Sequence, residues 1–221
     1  MSVALPTEAR QELDGLLPQR SRWRTLVVVV AIGLAVALTW TLPPWLHPQL
    51  PASGGGGSSA WQGAPFVLTF FQPDGDQSPV TVRGVDDIPG ARVVGAWVTT
   101  PLTPGGDFNM AWQAATSGMA VPSDAAVVIE ALRAAGAPLD DCGLPQRLAS
   151  GDRLWVLWQI TDCTVGAHAA GEVIPPAGPA SVRLRGPLGV TLGQPGPMMI
   201  SPFGYGIEGT DWLWASGSCP G

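Results

Sequence analysis

The chain has 221 residues, a formal charge of −6, only 13% charged residues and no lysine. Beyond residue 42, seven arginines stand against fourteen carboxylates, a balance that argues against nucleic acid and anionic lipid as partners. With 29 Gly and 23 Pro it has the turn content of a β-rich protein, and it is long enough for one domain with a substantial core.

Residues 1–24 read as a short cytoplasmic tail, in which Thr7 can cap a brief helix that Pro18 ends. A tail of this length buries no core of its own, so it is a surface leader or a docking peptide. Residues 25–42, TLVVVVAIGLAVALTWTL, contain no charge and no proline. As a helix they reach about 27 Å, enough to cross the hydrocarbon of a bilayer. Arg20, Arg22 and Arg24 precede the run and the next arginine is Arg83, which predicts a cytoplasmic N-terminus and an extracytoplasmic C-terminus. Trp23, Trp40 and Trp45 fit an interfacial aromatic belt. The run is therefore expected to be an uncleaved signal anchor in the plasma membrane. Cleavage after Ala35-Val36-Ala37 is the alternative.

Residues 43–60 read as a stalk, first proline-rich and then ASGGGGSSA, with the globular domain occupying residues 61–221. Two β-rich stretches, PFVLTFFQ and SPVTVRGV, are separated by Asp74-Gly75 and predict a hairpin; residues 91–100 predict a third strand. Residues 101–122 show no clear period and read as a long loop or irregular strands. A helix is predicted over 124–135, with Ser123 as its cap and Gly136 beyond its end, although Val127-Val128-Ile129 also suits a strand. The strongest strand is 152–163. Leu154, Val156, Trp158 and Ile160 form one face and Trp155 and Leu157 the other, so burial on both sides is expected. SVRLRG, LGVTLG, PMMISPF and DWLWASG follow as short strands, and the whole pattern predicts a mainly β sandwich with one short helix.

Little in the chain suggests catalysis. Of its two histidines, His47 lies in the proline-rich stretch and only His168 is available as a base; no G-x-S-x-G elbow occurs. Asp86-Asp87 and Asp140-Asp141 adjoin turn residues and read as solvated loops, not as acid and base of a glycosidase. Asp74 and Asp76 lack the further oxygens of a calcium loop, and three cysteines without paired spacing make no zinc site, so no cofactor or metal is expected. The cysteines allow one disulfide and one remaining thiol. Cys163 with Cys219 would tie the last strands to the core, and Cys142 with Cys163 is the competing pair. Most of the seven tryptophans beyond the stalk are expected in the core. Trp212 and Trp214, two apart in a predicted strand, would share a face and are the candidate ligand contacts.

DGDQSPVTVRGVDDIPG resembles the NDGPLPVTVTGV opening of immunoglobulin-like extracytoplasmic domains in uncharacterised bacterial single-pass membrane proteins, and LASGDRLWVLWQITDC is similar to their later strand ending in Asp-Cys. The terminal GSCPG resembles the Cys-Pro near their C-terminus. The resemblance spans residues 65–221; it implies an immunoglobulin-like β-sandwich outside the membrane and favours the Cys163–Cys219 pair. The chain departs from it in the Asp-Gly-Asp-Gln-Ser turn, the candidate helix and Cys142. The functional expectation is a non-catalytic envelope module binding an envelope protein or wall component, anchored through residues 25–42. The alternatives are a signalling or regulatory subunit acting through residues 1–24 and, last, a cell-wall hydrolase.

Overall fold

The computed structural model describes residues 26–34, 48–50, 53–75, 78–103, 108–118, 121–164, 180–203 and 211–219. The chain forms two compact units, Met1–Pro43 and Pro44–Gly221. In the first, residues 26–34 are an exposed helix. No helix among the described residues is long and apolar enough to cross a membrane. The tail 1–24 and residues 25 and 35–42 of the expected span lie outside the described residues.

The second unit is mainly β. Its strands are β1 (Gly54–Ala60), β2 (Phe66–Pro73), β3 (Val80–Val85), β4 (Ala91–Thr99), β5 (Gln146–Leu148), β6 (Arg153–Ile160), β7 (Ser181–Arg185) and β8 (Thr191–Pro195). They form two four-stranded sheets, sheet A in the order β1-β2-β6-β4 and sheet B in the order β5-β3-β7-β8, antiparallel throughout. Among the described residues three short helices accompany them where one was expected: α1 (Phe108–Gly118), α2 (Ala125–Ala134) and α3 (Asp211–Ser216).

Strand β6 organises the core. Its Leu154, Val156, Trp158 and Ile160 belong to the cluster between the sheets, with Val67 and Phe71 of β2 and Val82, Val182 and Leu184 of sheet B. Its Trp155 and Leu157 join a second cluster on the other face of sheet A, with Phe108 and Trp112 of α1 and Val128 and Leu132 of α2. The two-sided burial read from the sequence is thus present, with sheet B on one side and helices on the other.

Several expectations are corrected. GGGGSSA is strand β1 on the edge of sheet A, paired over seven residues with β2, and not a stalk. Glycine is needed because the strand lies against bulky neighbours: a Cβ on Gly56 would stand 2.6 Å from Met199 Cβ and 2.7 Å from the Phe70 carbonyl oxygen. Strands β2 and β3 do not form a hairpin. Each pairs within its own sheet, β2 with β1 and β6, and β3 with β5 and β7, so the connection crosses between sheets.

Residues 108–118 are helical, because Phe108, Ala111, Trp112 and Ala115 recur at i, i+3, i+4 and i+7 and are all buried. Two of the four are alanines, which is why the period is faint in the sequence. Helix α2 is capped by Asp124, not Ser123: its carboxylate accepts from the Ala126 N–H at 2.9 Å. Gly136 follows its end at φ 88°. The stretch 198–200 is a 3₁₀ turn and DWLWAS is helix α3, so neither is a strand.

Candidate functional site

The aromatic residues are mostly structural. Trp61, Trp97, Trp112, Trp155 and Trp158 are all buried. Three of their indole N–H groups have internal acceptors: Trp112 donates to Ser59 Oγ at 3.0 Å, Trp155 to Thr99 Oγ1 at 2.9 Å and Trp158 to Thr69 Oγ1 at 2.9 Å. Trp61 and Trp112 meet edge to face at 5.4 Å between centroids. Trp61, Trp97, Trp112 and Trp155 hold the helices on sheet A, Trp158 fills the space between the sheets, and none of these buried rings offers a face to a ligand.

Trp212 and Trp214 sit on α3 and not on the strand expected for them. Leu213 between them is buried in the core, and Trp214 is half exposed.

Cys163 and Cys219 form the disulfide, across a sequence separation of 56. It ties the end of β6 to the residues after α3, where Ser218 Oγ donates to the Trp61 carbonyl at 2.9 Å. Cys142 is free and buried. Burial pushes its thiol pKa up, opposed by a hydrogen bond with Thr103. Its carbonyl accepts from the Val98 N–H at 3.0 Å on the outer edge of β4.

The carboxylate pairs do structural work. Asp86 meets Arg183 at 2.9 Å and Asp87 accepts from the Val93 N–H at 2.7 Å, while Asp140 lies 3.5 Å from Arg133. Asp162 accepts from both the N–H and the hydroxyl of Thr164, the hydroxyl bond first in lowering its pKa. No group of three His, Cys, Asp or Glu fit to hold a metal occurs among the described residues. His47, His168 and Asp76 lie outside the described residues.

What the structure brings together is a set of arginines. The strands of sheet B alternate: Val80, Val82, Leu148, Val182 and Leu184 turn inward, while Arg83, Arg147, Arg183 and Arg185 turn outward and stay exposed. Four of the domain's seven arginines thus share one face, and none of the four strands contains Asp or Glu. The net charge read from composition does not disclose this segregation.

The register places them closely. Thr81 pairs with Arg147, and Arg185 with Thr191. The antiparallel register that joins Val82 to Leu184 sets Thr81 level with Arg185. Arg147, Thr81, Arg185 and Thr191 therefore form one row across four strands, about 14 Å wide. Arg83 reaches over β7 into that row, its Nη1 donating to Thr191 Oγ1 at 3.2 Å. Arg183 lies further along β7 and is paired with Asp86, whereas Arg83, Arg147 and Arg185 have no carboxylate partner among the described residues.

Next to the row is the β7–β8 loop, residues 186–190. It is closed by the Gly186 N–H donating to the Val190 carbonyl at 2.7 Å. At its tip Leu188 adopts φ 56°, ψ 19° and Gly189 φ 79°. Leu188 is fully exposed and Val190 more than half exposed. Sequence reasoning passed over this site. The alternation in VTVRGV and SVRLRG was its only signal, and it does not say that these strands are neighbours.

The fold and the site define a mainly β two-sheet domain, layered by helices on one sheet and presenting an arginine-lined face on the other. The chain matches no protein-family model, no curated protein and no solved structure.

Proposed function

We propose that the protein is an exported, membrane-tethered and non-catalytic module of the cell envelope that binds an anionic partner through the outer face of sheet B. The observation that carries this reading is the trio Arg83, Arg147 and Arg185, exposed on one sheet without a carboxylate partner among the described residues. Guanidinium groups held together repel one another, and a phosphate- or carboxylate-bearing partner relieves that repulsion while accepting paired hydrogen bonds.

The tether is supported by the apolar run 25–42 and the three arginines before it. Export is supported by the Cys163–Cys219 disulfide, which suits an oxidising compartment. An immunoglobulin-like fold is supported by strand order. Lettered in chain order with β5 set aside as an added edge, sheet A runs A-B-E-D and sheet B runs C-F-G, the constant-type arrangement. The departure is the insertion of α1, α2 and β5 between β4 and β6.

The test is retention of the full chain, in detergent, on a phosphate-bearing matrix at neutral pH. Despite its pI near 4.7 the protein is expected to bind and to elute as salt rises, while the Arg83→Gln/Arg147→Gln/Arg185→Gln variant flows through. If wild type and variant elute together, the face is not a binding surface. Topology is read in intact cells with a membrane-impermeant thiol reagent: Cys163 and Cys219 should label after reduction without lysis.

A further inference from the structure

We infer that the anionic partner of this face is the bilayer surface itself: the β7–β8 loop inserts Leu188 and Val190 into the interface while Arg83, Arg147 and Arg185 meet lipid phosphates. The inference rests on the tethered reading above and names the partner of the same site.

Three observations converge on one corner of sheet B. The first is the loop. Two successive positive-φ residues at a hairpin tip favour Asn-Gly, yet the chain has Leu188-Gly189. A leucine there accepts backbone strain and, being fully exposed, contributes no burial within the domain. Its apolar side chain is served only by a surface outside the domain.

The second is the charge. Thr191, one residue beyond Val190, accepts from Arg83 and is the cross-strand partner of Arg185. Arg83 and Arg185 therefore reach the base of the loop whose tip is apolar, with Arg147 at the far end of the same row. Insertion of the tip to the acyl boundary sets these guanidinium groups at headgroup depth, where each cation is attracted to an anionic leaflet.

The third is the reach of the chain. The Pro48 carbonyl accepts from Gln194 Nε2 at 2.6 Å and the Leu50 N–H donates to Gln194 Oε1 at 3.3 Å. Gln194 lies on β8 three residues from Thr191, about 10 Å along the strand. Only residues 43–47 separate Pro48 from the end of the apolar run at Leu42, six residue steps that span at most about 22 Å even when extended. A soluble partner would have to be accommodated within that short reach of the bilayer, whereas the bilayer is already there.

The test places an environment-sensitive fluorophore on Leu188→Cys in a Cys142→Ser background, with the full chain in nanodiscs of zwitterionic phosphatidylcholine alone or mixed with phosphatidylglycerol. The emission is expected to shift to the blue and to be quenched by brominated acyl chains in the anionic discs. Adding Arg83→Gln and Arg185→Gln should lower the docked fraction relative to the free by about thirtyfold. An unshifted emission in anionic discs, or equal responses in both lipids, overturns the inference and leaves an acidic protein or polymer as the partner. Anchorage is read separately by resistance to alkaline extraction. A chain that resists extraction but shows no shift keeps its tether and loses the docking. A chain that is extracted loses the tether, and the same labelled protein mixed with phosphatidylglycerol vesicles then decides the docking by the same shift.

Discussion

Trp158 donates its indole N–H to Thr69 Oγ1 at 2.9 Å in the space between the sheets, and both residues are wholly buried. The hydroxyl can in turn donate to the carbonyl of Ile200 at 3.3 Å or of Val156 at 3.4 Å. One side chain on β2 thus links β6 to the turn after β8. Thr69→Val keeps the shape and removes the acceptor, leaving a buried N–H without a partner, and is expected to cost about 1–3 kcal/mol. Thr69→Ser keeps the bond and should cost less. Denaturant midpoints at unchanged slope would show the ordering; equal losses for the two variants would mean that packing, not the hydrogen bond, matters here.

The Cys163–Cys219 bond closes a loop over a sequence separation of 56, which in the chain-entropy account amounts to about 4 kcal/mol. Cys219→Ser should lower stability by that order and loosen α3, whose Leu213 is in the core. Melting of oxidised, reduced and Cys219→Ser protein tests this. Melting temperatures that coincide would show that the bond constrains a segment already held by packing.

Where side chains alternate or lie buried on both faces, the sequence is informative: β4, β6 and β7 follow directly from their patterns, and the segment of α2 follows from its end signals, Gly136 among them. What it did not disclose depends on neighbours. Asp-Gly between two β-rich runs is ordinarily a hairpin signal, but β2 and β3 have better partners in separate sheets. GGGGSSA has no side chains to show a period, and it becomes a strand because β2 offers it an edge. In DWLWASG the alternation of two tryptophans suggests a strand, whereas the segment is a helical turn that buries Leu213. The arginine face was hidden for a related reason: its members come from three strands, and only the order β5-β3-β7-β8 collects them.

Gly55 and Gly56 are adjacent on β1 and should respond in opposite ways to alanine. A Cβ at Gly56 collides with Met199 and the β2 backbone, so Gly56→Ala is expected to destabilise by about 1–3 kcal/mol. A Cβ at Gly55 meets nothing within 4 Å, so Gly55→Ala should be neutral or stabilising by up to about 1 kcal/mol. A flexible linker would tolerate both alike, so equal midpoints for the two variants would restore the stalk and remove β1.

Leu188→Asn places the residue that the turn prefers at φ 56° and removes an exposed apolar group. It is expected to stabilise the domain by about 1 kcal/mol, because the left-handed conformation is costly for leucine. A loss of stability instead would mean that Leu188 packs within the domain, contrary to its full exposure.

Cys142 gives stability a dependence on alkaline pH whose sign is fixed by its surroundings. The thiol is buried in the cluster with Trp97 and Leu139, and burial raises its pKa above the ordinary 9.0. Well below that value the folded and unfolded chains both hold the proton, so the thiol contributes no slope. As pH rises through the unfolded pKa, the unfolded chain releases a proton that the folded chain retains. Unfolding is thereby favoured, and the loss grows until the folded pKa is reached. Cys142→Ala lacks this proton and costs the packing of one sulfur atom and its hydrogen bond with Thr103. Its stability deficit relative to wild type should therefore shrink between about pH 8 and 10. Subtracting the two curves cancels every other group that titrates in that range. A deficit that stays constant would place the thiol in contact with water, and rapid modification by a thiol reagent in the native protein would then accompany it.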